Sequence, residues 1–252
     1  MNLQKETIRI AAMADIHVKK TGQGTFQPIF ARATDEADVL LLCGDLTDYG
    51  AVEEAKILAK EITSSLRIPV IGVLGNHDVE SDNEKEIVAI LTDAGVVMLD
   101  GDTHEVHGVG FAGVKGFGGG FGRRQLGAWG EKIIKAFVHE AIEEALKLEA
   151  ALARLRTPQK IAVLHYAPIA ATVVPEPPEI MPFLGSSRLE DPIDRYRCSA
   201  VFHGHAHRGS IEGRTKSGVP VYNVAIPLLL ATYPDRPPFR VIEVPVNEAK
   251  VA

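Results

Sequence analysis

Segment 201–209 reads Val-Phe-His-Gly-His-Ala-His-Arg-Gly and carries three of the nine histidines of the chain. Its apolar start, followed by a glycine, predicts a buried strand that ends in a loop. Imidazoles packed this densely repel one another when they are protonated, so the cluster makes chemical sense if a cation holds it neutral. We therefore expect the rest of the chain to supply oxygen ligands.

Four further apolar runs end in polar groups of the required kind. The carboxyl ends of parallel strands meet at one edge of an open α/β sheet, so all five strand ends are expected at one crevice. A mixture of carboxylates and imidazoles favours transition metals over Mg or Ca alone. The four runs end in Asp15-Ile16-His17, in Gly44-Asp45, in Gly75-Asn76-His77-Asp78 and in His165.

In their order and spacing, these five motifs resemble those of the calcineurin-like metallophosphoesterases, in particular small prokaryotic members. The resemblance runs from residue 15 to residue 207 of the chain. It implies an α/β fold, a four-layer α/β-β/α sandwich of two mixed sheets flanked by helices. It also implies a metal-dependent phosphoric ester hydrolase.

The same resemblance implies a centre of two divalent metal ions. Mn is the expected metal, and Fe, Zn, Co and Ni are the alternatives. A hydroxide that bridges the two ions would attack the phosphorus in line. One ion would be held by Asp15, His17 and His207 and the other by Asn76, His165 and His205, with Asp45 bridging both.

Two further residues receive catalytic roles from the resemblance. His77 matches the family histidine that faces the substrate, where it stabilises charge or protonates the leaving oxygen. Asp48 resembles the carboxylate that orients this histidine. For Asp78, a role as a loop cap is an open alternative, and His203 is expected to be a satisfied core or loop histidine.

A glycine-rich segment, 114–130, has seven glycines in seventeen residues, which predicts a loop beside the site. Its Arg123 and Arg124 are candidates to bind a substrate anion, and its aromatic residues could stack on a ring. The alternative is that the aromatic residues only anchor the loop. A long helix is predicted over 131–155, and its charges at Glu143, Glu144 and Lys147 are expected to face solvent.

Length and composition limit the remaining possibilities. A chain of 252 residues with 46% hydrophobic content predicts one domain, 1–252. The formal net charge of −6 argues against nucleic acid and anionic membranes as partners. No segment reaches the roughly 20 apolar residues that span a bilayer. A homo-oligomer remains compatible with the sequence.

The polar first residues and the two cysteines predict a cytoplasmic protein. The N-terminus lacks a signal-peptide core and a small-residue cleavage site. Cys43 and Cys198 each lie in or beside a predicted strand, where a small apolar core role is expected rather than a disulfide.

The function predicted from the sequence is hydrolysis of a small phosphodiester or phosphomonoester. The alternative is a non-catalytic metal-binding scaffold of the same fold. All expected ligands are present in the chain, which favours the enzyme.

Overall fold

The computed structural model describes residues 6–246, and its first sheet has five strands. Four of them run parallel, and the last strand of the chain pairs antiparallel with the first. Their spatial order is β11-β1-β2-β3-β4. The strands are β1 (Thr7–Met13), β2 (Val39–Cys43), β3 (Val70–Val73), β4 (Val96–Met98) and β11 (Arg240–Pro245).

The second sheet has six strands in the order β5-β6-β7-β8-β10-β9. Its four central strands are parallel, and each edge strand is antiparallel to its neighbour. The strands are β5 (Asp102–Val106), β6 (Val109–Gly113), β7 (Gln159–Val163), β8 (Ala200–His203), β9 (Glu212–Arg214) and β10 (Pro220–Asn223).

Seven α-helices lie within residues 6–246. The first three pack on the outer face of the first sheet, and α4 and α6 pack on the outer face of the second. They are α1 (Gln27–Glu36), α2 (Val52–Ser65), α3 (Glu84–Asp93), α4 (Lys132–Arg154), α5 (Met181–Leu184), α6 (Glu190–Arg195) and α7 (Ile226–Thr232).

The alternation of side chains along β1 explains the layers. Ile10 and Ala12 point into the core between the sheets, whereas Ala11 and Met13 point to the helices outside. Both faces of the central parallel strands are therefore buried, as parallel sheets require. The predicted α/β-β/α sandwich of two mixed sheets is confirmed. Within residues 6–246, no helix has both the length and the apolar character needed to cross a bilayer.

One charged residue of α4 is buried, contrary to the sequence prediction of a solvated face. Glu143 is exposed, but only 1% of Glu144 is. The carboxylate of Glu144 accepts the N–H of Gly116 at 2.7 Å and the ammonium of Lys147 at 2.7 Å. Glu144 therefore fixes the start of the glycine-rich segment to the helix.

Replacing Glu144 by alanine is expected to lower the free energy of unfolding by about 2–3 kcal/mol, because a buried N–H loses its charged acceptor. The Glu143→Ala change removes a carboxylate from the preceding position, which is exposed, and should alter the free energy of unfolding by less than about 0.5 kcal/mol. Urea unfolding of the two variants measures the difference. Equal effects would show that the carboxylate of Glu144 contributes nothing.

Candidate metal centre

The loops that follow β1, β2, β3, β7 and β8 meet at one edge of the sandwich. Each of these strands ends two or three residues before its first predicted ligand. The loops are joined by backbone hydrogen bonds, from Asp15 to Gly44 and from His17 to Asp45. The seven predicted ligands, Asp15, His17, Asp45, Asn76, His165, His205 and His207, all lie in these loops.

The first group of donors consists of Asp15, His17 and His207, whose ligand atoms lie within 4.8 Å of one another. Nε2 of His207 is 2.9 Å from Oδ1 of Asp15. Nε2 of His17 is 3.8 Å from Oδ2 of Asp45, which places this carboxylate beside the group.

The second group contains Asp45 itself together with His165 and His205, again within 4.8 Å. Nε2 of His165 lies 3.3 Å from Oδ1 of Asp45 and 3.0 Å from Oδ1 of Asn76. Asp45 therefore lies between the histidines of the two groups, with Oδ2 towards His17 and Oδ1 towards His165.

Backbone carbonyls determine which ring nitrogens carry hydrogen. A carbonyl can only accept, so Nδ1–H of His165 donates to Cys43 at 3.0 Å and Nε2–H of His205 donates to Phe183 at 3.1 Å. Nε2–H of His165 donates to Oδ1 of Asn76 at 3.0 Å, and loss of this proton leaves the lone pair on Nε2. In neutral His205 the lone pair is on Nδ1. Histidine ligands of metals are typically oriented by such a hydrogen bond from their other nitrogen.

His17 contains a buried polar atom that lacks a partner. Its Nδ1 makes no hydrogen bond to any of residues 6–246 and lies 3.6 Å from Oδ1 of Asp48. Buried polar atoms are rarely left unsatisfied in folded proteins. A divalent ion bound to Nε2 of His17 would make its Nδ1–H a stronger donor towards the carboxylate of Asp48. These residues therefore fit a divalent metal ion.

The charges in the cluster attract positive charge. Burial opposes ionisation of Asp45, but the charge and hydrogen bond of His165, together with the N–H and charge of His77, outweigh it and lower the pKa of Asp45. Although burial acts against protonation, Asp45 raises the pKa of His165 to about 9. Burial and the charge of His165 lower the pKa of His205 to about 4, which keeps this imidazole neutral.

Four of the seven candidate ligands have a left-handed backbone. The φ angles are 58° for Asp15, 46° for His17, 50° for Asp45 and 68° for His205. Such angles are uncommon outside glycine, and strained residues cluster at functional sites. The residues with this strained backbone are ones whose side chains converge in the candidate centre.

Glycines beside the ligands allow the loops to approach closely. A Cβ on Gly75 would lie 2.1 Å from Oδ1 of Asp45, and one on Gly204 would lie 2.4 Å from Oδ2 of Asp15. One on Gly44 would lie 2.5 Å from Nδ1 of His165. No side chain fits at these positions without moving a candidate ligand.

His77 lies at the rim of the cluster. Its backbone N–H donates to Oδ1 of Asp45 at 2.8 Å, and its ring packs edge-on against His17 at 4.6 Å. Nδ1–H donates to the backbone carbonyl of Asp48 at 2.7 Å. Nε2 has no hydrogen-bond partner within residues 6–246 and is left free to act on a ligand.

The position of Asp48 differs from the prediction. Its carbonyl, not its carboxylate, is what accepts from His77, and the carboxylate faces His17 at 3.6 Å and Lys19 at 3.9 Å. The backbone of the loop after β2 therefore orients His77. The side chain of Asp48 is placed to orient a candidate ligand instead.

Asp78 is a buried clamp between two ligand loops. Its carboxylate accepts the N–H groups of Leu46, Thr47 and Gly75 at 2.7–3.1 Å and the hydroxyl of Thr47 at 2.6 Å. Burial and the charge of Asp45 raise its pKa. The loop-cap alternative is thus the one that the contacts support.

The Asp78→Asn variant is expected to lose about 2–3 kcal/mol of unfolding free energy. The NH₂ group of asparagine cannot accept hydrogen bonds, so the donors that now bind one of the two carboxylate oxygens would lose their acceptor. The same substitution at exposed Asp82 serves as the control, since asparagine also tolerates its left-handed φ of 56°. Thermal or urea unfolding compares the two. An Asp78→Asn protein as stable as the control would contradict the clamp.

The glycine-rich segment packs against the loop that contains α5. The N–H of Gly120 donates to Gly185, and the N–H of Gly122 donates to Oγ of Ser187. The ring of Phe117 lies 4.8 Å from that of Phe137. These contacts support the anchoring alternative for Phe117.

Arg123 and Arg124 remain candidates for substrate binding. Both are exposed, and neither makes an ion pair or hydrogen bond with another residue in the described part of the chain. The buried His203, by contrast, donates to the carbonyl of Gly204 and accepts from the hydroxyl of Thr172, each at 2.8 Å. It is a satisfied core histidine, as predicted.

A cavity of about 540 Å³ lies between α3 and α4. Leu74 and Val79, which flank the loop of Asn76 and His77, line it together with Lys115. No candidate ligand lines this cavity. It is adjacent to the centre and separate from it.

Residues 8–209 match the calcineurin-like phosphoesterase family, so the chain belongs to this family. No curated protein matches the sequence. Among solved structures, phosphopantetheinyl hydrolase from Mycobacterium tuberculosis superposes with a TM-score of 0.66 at 16% identity, covering 92% of this chain and 95% of that one. A protein from Thermus thermophilus gives a TM-score of 0.53 at 14% identity, covering 96% and 100%. At these identities the two structures show a shared fold.

Proposed function

We propose that this protein is a phosphoric ester hydrolase that holds two divalent ions and acts on a small phosphodiester or phosphomonoester. The observation that carries the proposal is the position of Asp45, which has one oxygen towards each of two donor groups. The family to which the chain belongs supports hydrolysis of phosphate esters.

The ions, when bound, would supply Lewis acidity and lower the pKa of a water that can attack phosphorus. Asp15, His17 and His207 would hold one ion, and Asn76, His165 and His205 the other, with Asp45 shared. The mixture of oxygen and nitrogen donors supports Mn as the bound metal, with Fe, Zn, Co or Ni as alternatives.

His77 is proposed as the catalytic residue. Its Nδ1–H is held by the carbonyl of Asp48, so the ring presents Nε2 to a bound ester. As an imidazolium, His77 can donate this proton to the leaving oxygen or hydrogen-bond to the charge that develops on phosphorus. Asp48 acts as a positioning residue through its carbonyl.

Parallel assays of bis(4-nitrophenyl) phosphate and 4-nitrophenyl phosphate test the proposal. The protein is stripped with a chelator and reloaded with Mn²⁺, Zn²⁺, Ni²⁺ or Mg²⁺, and bound metal is measured. We expect turnover only in reloaded samples, and the ratio of the two rates gives the ester class. Two bound ions without turnover of any phosphate ester tested would favour the scaffold.

We also propose a cytoplasmic location. Cys43 and Cys198 are both buried and free, as the core role predicted for them requires. Thiols persist in this form in a reducing compartment.

A further inference from the structure

Large apolar side chains are exposed on α4, on α5 and in the segment just before α4. The exposed fractions are 73% for Trp129, 75% for Ile133 and 58% for Phe183. Ile133 and Phe137 lie one turn apart on α4, and the rings of Phe137 and Phe183 are in edge-on contact at 5.9 Å. We call Trp129, Ile133, Phe137 and Phe183 the apolar rim. Exposed apolar patches of this kind mark binding surfaces.

The apolar rim begins at the candidate metal centre. The carbonyl of Phe183 accepts Nε2–H of His205 at 3.1 Å. Whatever covers the rim therefore lies beside the position where an ester would be bound.

The part of the chain that carries Trp129 and Ile133 is basic, whereas the segment of Phe183 carries exposed Glu179. Residues 121–137 contain four cations, Arg123, Arg124, Lys132 and Lys135, and one anion, Glu131, in a protein whose formal net charge is −6. All four cations are exposed, and none forms an ion pair with any of residues 6–246. No ion pair therefore neutralises these four charges.

We propose that this face docks on an anionic lipid bilayer. Trp129 and Ile133 would enter the boundary between headgroups and acyl chains, and the four cations would contact lipid phosphates. The candidate centre would then face the membrane surface. The prediction of no membrane partner was based on the net charge of the whole chain and on the lack of a spanning segment, and neither property describes this local face.

Charge distinguishes the bilayer from a second copy of the chain. A two-fold symmetric dimer built on this face would bring the same four cations towards each other. Like charges across an interface oppose association, whereas an anionic surface complements them. Contacts with phosphate groups alone would also leave the side chains of the apolar rim exposed to water, whereas a bilayer covers them.

Trp129 is the only tryptophan of the chain and so reports on its own surroundings. The full-length protein is mixed with vesicles of phosphatidylcholine, or of phosphatidylcholine with phosphatidylglycerol. We expect a blue shift of the emission and co-sedimentation with the anionic vesicles only, both weakened by salt. An unshifted spectrum with protein left in the supernatant would overturn the proposal.

Three variants that keep Trp129 identify the contact surface. Ile133→Ser, and Lys132→Gln combined with Lys135→Gln, should each lower vesicle partitioning by at least about 10-fold. Leu146→Ser is the matched control, because Leu146 is 51% exposed on the same helix but lies outside the rim. Equal partitioning of all variants would refute docking through this face.

Two further measurements separate docking on a bilayer from self-association and from ester hydrolysis. Sedimentation velocity without lipid should show the same mass for wild type and Ile133→Ser, whereas a dimer lost in the variant would assign the face to a second copy. Vesicle binding is also measured on chelator-stripped protein and without a nitrophenyl ester, because phosphatidylglycerol is itself a phosphodiester. Its outcome is therefore independent of the proposed hydrolase activity.

Discussion

The Asp45→Asn protein is expected to retain its fold, to lose bound metal and to lose hydrolysis. Asparagine tolerates the left-handed φ of 50°, and its Oδ1 can still accept the N–H of His77. The change removes one negative charge and replaces an oxygen ligand by an NH₂ group. We expect the metal content to fall from two ions towards one and kcat to fall on the order of 10³-fold.

Elemental analysis after dialysis, run beside the ester assay, measures both effects. Asp35→Asn, on the exposed face of α1, makes the same chemical change away from the centre and should keep both metal and turnover. Two ions retained in Asp45→Asn would contradict the bridging role of Asp45. Full activity in that variant would contradict the proposed function as well.

For His77→Ala, the prediction is a loss of turnover without loss of metal. Removal of a general acid typically lowers kcat by about 10²–10⁴-fold. The loss should be smaller for a 4-nitrophenyl ester than for a phenyl ester, because the better leaving group needs less protonation. A residue that only supported the loop would slow both esters equally.

His77 has a competing role that the same experiment tests. Its ring nitrogen lies within 4.8 Å of ligand atoms of His17 and Asp45, so the three could hold an ion together. Loss of one ion in His77→Ala would make His77 a ligand and contradict its catalytic assignment. His139→Ala, at an exposed site on α4, is the control for a general effect of losing a histidine.

The convergence of the candidate ligands could be predicted because apolar runs and strand-end motifs are both local signals. Asp45 follows β2 of the first sheet and His165 follows β7 of the second. Parallel pairing aligns the strand ends within each sheet, and the packing of one sheet on the other brings the two sets of ends together. The resemblance then assigned each candidate ligand to one of two ions, an assignment that stays a prediction. The side chains form the groups Asp15-His17-His207 and Asp45-His165-His205, and a third group, His17-Asp45-His77, that the assignment did not contain.

Contacts made through the backbone could not be predicted in the same way. The carbonyl of Cys43 orients His165 from 122 positions earlier in the chain, and the residue type at position 43 does not indicate it. Asp48 was assigned to His77 as a carboxylate, but any residue there could supply the carbonyl that accepts this hydrogen bond. Glu144 reads as a surface charge because its partner, an N–H of the glycine-rich segment, has no sequence signal.

The arrangement of the five ligand loops also has a consequence for the order of folding. The contact between Asp15 and His207 closes a loop of 192 residues, and that between Asp45 and His165 closes one of 120. Contacts of such long range form late, because the chain must first lose much of its freedom. High-affinity metal binding should therefore appear only after both sheets are assembled, and uptake of the ions would then report the completion of refolding.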